Sequence, residues 1–142
     1  MVLMVTLAAC AGGSDRPASP EGGDSSLATA GDASNRTELA AVKRRLAALP
    51  AVIRVDGGYS HDPSNAGGDV VLAITVRPGA DLTAVADDAV RHVWLSRLTP
   101  VASMTAAVGP DDDPSATVYR HADFDDSRAS LAARYGSRPV AR

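Results

Sequence analysis

Residues 70–76 restrict the fold of this chain more than any other segment. Their sequence, Val-Val-Leu-Ala-Ile-Thr-Val, is an almost continuous apolar run with the length of one β-strand. Such a run is typical of a central strand that is covered on much of both faces. We therefore expect a sheet with neighbours on each side of this strand, in a chain of 142 residues that has room for one compact domain.

Prolines and helical spacing divide the rest of the chain into two similar units. Asn35 is expected to cap a first helix, with Glu38 as its capping-box partner and Pro50 just beyond its end. Asp81 is expected to cap a second helix that ends before Pro100. Each helix precedes two predicted strands, so the order predicts two helix-strand-strand units in an α+β fold, with strands over residues 52–55, 70–76, 101–108 and 115–120.

A third helix is expected at the C-terminal end of the chain. Asp123 can cap it, Gly136 can end it, and its apolar side is formed by Phe124, Leu131 and Tyr135. This order of elements resembles a circularly permuted ferredoxin-like plait. The resemblance implies a four-stranded sheet in the order 1-2-4-3 with both long helices on one face, and it implies nothing about activity.

Two residues near the end of the second helix attract attention. Trp94 lies at the edge of the apolar stripe of that helix, where a packing role in the core is expected. Leu95 falls on the opposite side of the helix from the stripe. We expect it to be covered either by the third helix or by a partner, and the apolar side of the third helix favours the first of these.

The N-terminal segment has the pattern of a secretory leader. The first nine residues are apolar apart from Thr6, and the run stops at Leu7-Ala8-Ala9-Cys10. A run of this length cannot cross a bilayer, but it suits the apolar region of a signal peptide. The segment resembles the lipobox of bacterial lipoproteins, although no lysine or arginine precedes the apolar run. The resemblance implies cleavage before Cys10 and diacylglycerol on its thiol.

The residues around the cysteine predict how the chain is divided. Cys10 is the only cysteine, so it can form no intramolecular disulfide. The residues that follow are rich in glycine, serine and proline, a composition typical of a flexible tether. We therefore expect a signal peptide over residues 1–9, a lipidated cysteine and tether over residues 10–34, and one domain over residues 35–142, held on the extracytoplasmic face of the cell membrane.

Charge and spacing argue against several kinds of site. The formal net charge is -3 and no long run of lysine or arginine occurs, so nucleic acid is not an expected partner. The acidic segment 111–113 fails the calcium-loop pattern, because Ala116 and Ala122 stand where glycine and glutamate are needed. We expect no cofactor and no metal site. No histidine has a partner at ligand or general-base spacing; the three are His61, His92 and His121.

No catalytic arrangement stands out either, because no serine lies in a G-x-S-x-G turn. The interpretation we favour is a non-enzymatic binding or accessory domain with a partner in the envelope. Two alternatives stay open. A small extracytoplasmic hydrolase would require a serine-histidine contact in a deep pocket. A ligand or cation sensor would use the loop over residues 57–68 or the acidic turn over residues 111–113.

Overall fold

The computed structural model describes residues 25–61, 64 and 66–140, with side chains from residue 31 onward. No helix in these ranges is long and apolar enough to cross a membrane. The predicted α+β class, with two helix-strand-strand units and a C-terminal helix, is confirmed. In chain order the elements are α1 (Ser25–Ala47), β1 (Val52–His61), β2 (Gly68–Val76), α2 (Leu82–Trp94), β3 (Ser103–Pro110), a short 3-10 turn (Pro114–Ala116), β4 (Val118–Asp123) and α3 (Arg128–Tyr135).

The four strands form one mixed sheet in the order β1-β2-β3-β4. Strands β1 and β2 pair antiparallel, as do β3 and β4, while β2 and β3 are parallel neighbours joined through α2. The predicted order 1-2-4-3, and with it the permuted ferredoxin-like plait, is therefore not the order found. The reason lies in side-chain burial, because β3 buries Met104, Ala106 and Val108, whereas β4 exposes Tyr119 and Arg120. A strand with that polarity suits an edge position.

All three helices contribute apolar side chains to one layer on one face of the sheet. The helical spacing of apolar residues is used for this layer: α1 buries Leu39, Val42 and Leu46, and α2 buries Ala89 and Val93. Full burial of a leucine or valine side chain contributes roughly 1.5–3 kcal/mol. The other members of the layer come mainly from β2 and β3, namely Val70, Leu72, Ile74, Val76, Met104, Ala106 and Val108.

Helix α1 begins at Ser25, upstream of the predicted start at Asn35. Asn35 is buried inside the helix, where its amide accepts from the Thr99 backbone N–H at 3.1 Å and donates to the Thr99 carbonyl at 2.9 Å. Glu38 accepts from the backbone N–H of Arg97 at 3.2 Å. A spacing of three residues places both side chains on one side of a helix as readily as it forms a capping box. The pair therefore connects α1 to the loop after α2.

The end of α2 is packed against the C-terminal segment. Trp94 is buried as predicted, and its indole Nε1 donates to the Gly136 carbonyl at 2.8 Å. Phe124 meets Trp94 edge-to-face with the ring centroids 5.5 Å apart. The Arg138 guanidinium lies over both rings and donates to the Leu98 carbonyl at 2.7 Å, and burial lowers its pKa. Residues 136–138 therefore close this end of the core.

The start of α3 corrects a second cap prediction. Asp123 does not cap the helix, because its carboxylate accepts from the backbone N–H groups of Asp125 and Asp126, at 3.0 and 2.9 Å. The helix begins only at Arg128, so Phe124, which was expected on its apolar side, lies before it. Its end at Gly136 is as predicted, with Gly136 at a φ of 88° that favours glycine. Leu95 forms the C-cap of α2 and lies half-buried against the core.

One carboxylate connects three elements at this side of the layer. Asp87 of α2 contacts Arg134 of α3 at 2.6 Å and Arg120 of β4 at 3.4 Å. The three side chains are partly exposed, so solvent weakens each pair. The cluster joins α3 and β4 to α2 on the side of the sheet that carries the helices.

Substitution of Asn35 tests the connection between α1 and the loop after α2. Asn35→Ala leaves the Thr99 N–H and carbonyl without these partners, so we expect the free energy of unfolding to fall by about 1–3 kcal/mol. Ser34→Ala, at the exposed neighbouring position, should change it by less than about 0.5 kcal/mol. Urea denaturation measures both, and equal effects would contradict the proposed role of Asn35.

Candidate functional site

The sheet face opposite the helices is uncovered among the described residues, and we call it the open face. Along β2, burial alternates strictly until Thr75: Val70, Leu72 and Ile74 point into the core, while Val71 on the other side is 56% exposed. The run over residues 70–76 predicted a strand covered on much of both faces. That prediction is wrong for the open face, because none of the helices α1, α2 and α3 packs on it, and the segment from Pro114 to Thr117 adjoins it only at Gly109.

Cross-strand pairing arranges the open face in four rows, of which the first two are nearest the C-terminal end of β2. Small side chains occupy the middle of these rows, and larger ones stand at the edges. Arg54 on β1 pairs with Asp56 two residues along at 2.8 Å, and Tyr119 on β4 is 73% exposed. The first row is Arg54, Thr75 and Gly109, and the second row is Asp56, Ala73, Ala107 and Tyr119.

A shallow groove of about 360 Å³ lies over these two rows. Its floor includes Ala73, Ala107 and Gly109, and Arg54 and Tyr119 stand at its two sides. The groove exists because the central strands carry residues with little or no side chain while the edge strands carry long ones. Its polar and apolar lining can receive a side chain from another surface, but no group in it is arranged as a catalytic pair.

The other two rows carry most of the polar side chains of the open face. His121 Nδ1 lies 3.1 Å from Thr105 Oγ1, and Ser103 Oγ donates to Asp69 Oδ1 at 2.6 Å. Cross-strand pairs of this kind stabilise neighbouring strands by roughly 0.2–1 kcal/mol each. The third row is Gly58, Val71, Thr105 and His121, and the fourth row is Ser60, Asp69, Ser103 and Asp123.

These contacts bear directly on the hydrolase alternative. Ser103 is engaged by Asp69, and His121 is engaged by Thr105 one row away. The serine and the histidine thus have different partners, and the groove lies over the first two rows rather than over them. The serine-histidine contact in a deep pocket that a hydrolase would require is not among the described interactions.

The sensor alternative fares no better in the described ranges. Within the predicted loop over residues 57–68, residues 57–61 and 68 are strand, because β1 continues to His61 and β2 begins at Gly68. In the acidic turn, Asp113 accepts from the Ser115 backbone N–H at 3.0 Å, as a turn-capping residue does. Within the described residues no group of three or more acidic, histidine or cysteine side chains could hold a metal ion.

The residues that distinguish the open face were only partly visible in the sequence. The apolar run predicts that Val71 lies in a covered strand, and no sequence pattern distinguishes Tyr119 from the rest of the fourth strand. The available signal was that Ala73 and Ala107 alternate with larger apolar residues. Small residues on the second face of a strand are compatible with a covered face and with an exposed one, so this signal did not decide between them. Cys10, the predicted lipidation site, lies outside the described residues, so its lipidation stays a prediction.

The same substitution on the two faces of β2 tests whether the open face is uncovered within one chain. Val70→Thr buries a hydroxyl in the core and should lower the free energy of unfolding by about 1–3 kcal/mol. Val71→Thr places the hydroxyl in water and should change it by less than about 0.5 kcal/mol. Denaturation of dilute protein measures both values. A loss at Val71 as large as that at Val70 would show that part of the chain covers this face.

The chain was also compared with known proteins. No family model, no curated protein and no solved structure matches it.

Proposed function

We propose that this chain is a lipid-anchored protein of the bacterial envelope, held at the outer face of the cell membrane through Cys10, and that it acts as a binding or accessory domain through its open face. The observation that carries the binding role is the exposure of Val71 and Tyr119, at 56% and 73%, on a sheet face that no described helix covers. The anchor is supported by the lipobox-like segment Leu7-Ala8-Ala9-Cys10.

The chemistry of the open face suits a protein surface better than a small ligand. Enclosed pockets bury most of a small ligand, whereas the groove between Arg54 and Tyr119 is shallow and open. Protein interfaces are enriched in aromatic residues and have an apolar centre with a rim of polar residues. Val71, Ala73 and Ala107 supply that centre, while Arg54 and Asp123 lie towards the margins of the face.

The two parts of the proposal work together. A tether between Cys10 and the domain would let the open face turn towards other molecules at the membrane surface. Lipid on Cys10 would confine those encounters to two dimensions and raise the local concentration of the domain. A face of modest area can then be occupied at protein levels that would leave it empty in dilute solution.

Replacement of Cys10 tests the anchor. Cys10→Ser removes the thiol that would carry diacylglycerol, so the protein should lose labelling by a clickable fatty acid and leave the membrane fraction of the cells that express it. Ser14→Ala in the adjoining segment is the control and should behave as the unaltered chain. Labelling of the Cys10→Ser protein at the control level would rule out the anchor.

Site-specific photo-crosslinking in intact cells tests the binding face. A benzophenone amino acid in place of Tyr119 should give a discrete protein adduct, because this position lies on the face proposed to be occupied. The matched control is Val140, which is 84% exposed and lies in the C-terminal segment beyond α3. Equal adduct formation at positions 119 and 140, or none at either, would contradict a binding role for the open face.

A further inference from the structure

The rows of the open face differ in the height of their side chains. The third row is raised at Val71 and Thr105, and the second row is lowered at Ala73 and Ala107, where the groove lies. Side chains that protrude in one row and recede in the next can interdigitate when two such faces meet. We propose that the open face is the interface between two copies of this chain, packed sheet against sheet.

The shape of the rows selects one symmetric arrangement. A two-fold axis that runs across the strands, between the second and third rows, brings the second row of each copy over the third row of the other. Val71 then lies over Ala73 of the second copy and Thr105 lies over Ala107 of the second copy. Each contact pairs a larger side chain with an alanine, so the sheets can approach to about 10 Å, the usual separation of packed sheets.

The charges of the outer rows select the same arrangement. Arg54 in the first row has a 70% exposed side chain, and Asp69 and Asp123 both lie in the fourth row. The axis across the strands places the first row over the fourth, so that Arg54 lies beside Asp69 of the second copy. An axis along the strands would instead place the four carboxylates of the two fourth rows together, and like charges across an interface are strongly disfavoured.

The area of the face accounts for the need for an anchor. With strands about 4.8 Å apart and residues about 3.3 Å apart along a strand, the four rows cover roughly 400–500 Å² per copy. Two faces together approach the roughly 1,000 Å² at the lower limit of specific interfaces. The association is therefore weak in dilute solution and is favoured when copies share a membrane. This step rests on the proposed anchor, whereas the row and charge complementarity does not.

Charge exchange between two differently tagged copies of the full chain tests the interface. Copies that both carry Arg54→Asp place an aspartate beside Asp69, and copies that both carry Asp69→Arg place two arginines together. Co-recovery of the two tags from cells should fall about tenfold in each case, the change that corresponds to roughly 1.4 kcal/mol. One copy of each variant restores both opposite-charge contacts, so co-recovery should return to the level of the unaltered pair.

A second pair of variants keeps the test independent of these charges. Val71→Asp places a carboxylate at the centre of the interface and should abolish co-recovery. Ile53 is the control, because it is 50% exposed on β1 but lies at the register shift, outside the four rows. Equal effects of Val71→Asp and Ile53→Asp would overturn the interface. It would also be overturned if both charge variants are folded, as shown by cooperative unfolding, and the mixed pair still fails to associate.

The outcome separates the interface from the anchor. Loss of fatty-acid labelling in Cys10→Ser together with no charge-exchange pattern would overturn the interface alone. If the chain with Cys10 intact is not labelled by the fatty acid, and concentrated protein still shows the charge-exchange pattern, the anchor alone is overturned. A Tyr119 adduct whose mass corresponds to one copy plus a different protein, with no adduct of two copies, would show that another protein occupies the open face and would overturn the interface.

Discussion

The burial of every second residue of β2 and β3 beneath α1 and α2 is the constraint on which the rest of the structure depends. Removing these side chains from water is the largest favourable contribution to folding that the chain has available. Because β2 and β3 are parallel neighbours, their buried residues form one continuous surface for both helices. The contacts of Asn35 with Thr99 and of Trp94 with Gly136 secure the ends of this layer and do not create it.

The same constraint accounts for the open face. The three α-helices lie on one side of the sheet, and the described chain has no further α-helix to place on the other. That side consequently combines alanine and glycine on the central strands with two exposed apolar residues, Val71 and Tyr119. The interface proposed for this face lies near the lower limit of size for specific interfaces, and the proposed lipid anchor at Cys10 would favour it by concentrating the protein at the membrane.

Sequence reasoning succeeded where one local pattern had one physical explanation. Asp81 caps α2 as predicted, with the Ala84 backbone N–H donating to its carboxylate at 3.0 Å. It failed where one pattern had two. The spacing of Asn35 and Glu38 suits a capping box and equally suits two contacts on the same side of a longer helix, which is what the structure contains. Asp123 likewise had a local partner closer than the helix it was expected to cap.

By itself the sequence determined the α+β class, the number and order of the elements, and the apolar stripes of α1 and α2, because these follow from spacing along the chain. It also contains the segment Leu7-Ala8-Ala9-Cys10 that resembles a lipobox, and the lipidation of Cys10 stays a prediction. Only the tertiary structure decided the strand order and the exposure of Val71, because a strand's neighbours and its cover depend on residues far away in the chain. The apolar residues of a strand do not show by themselves which of its two faces the helices cover.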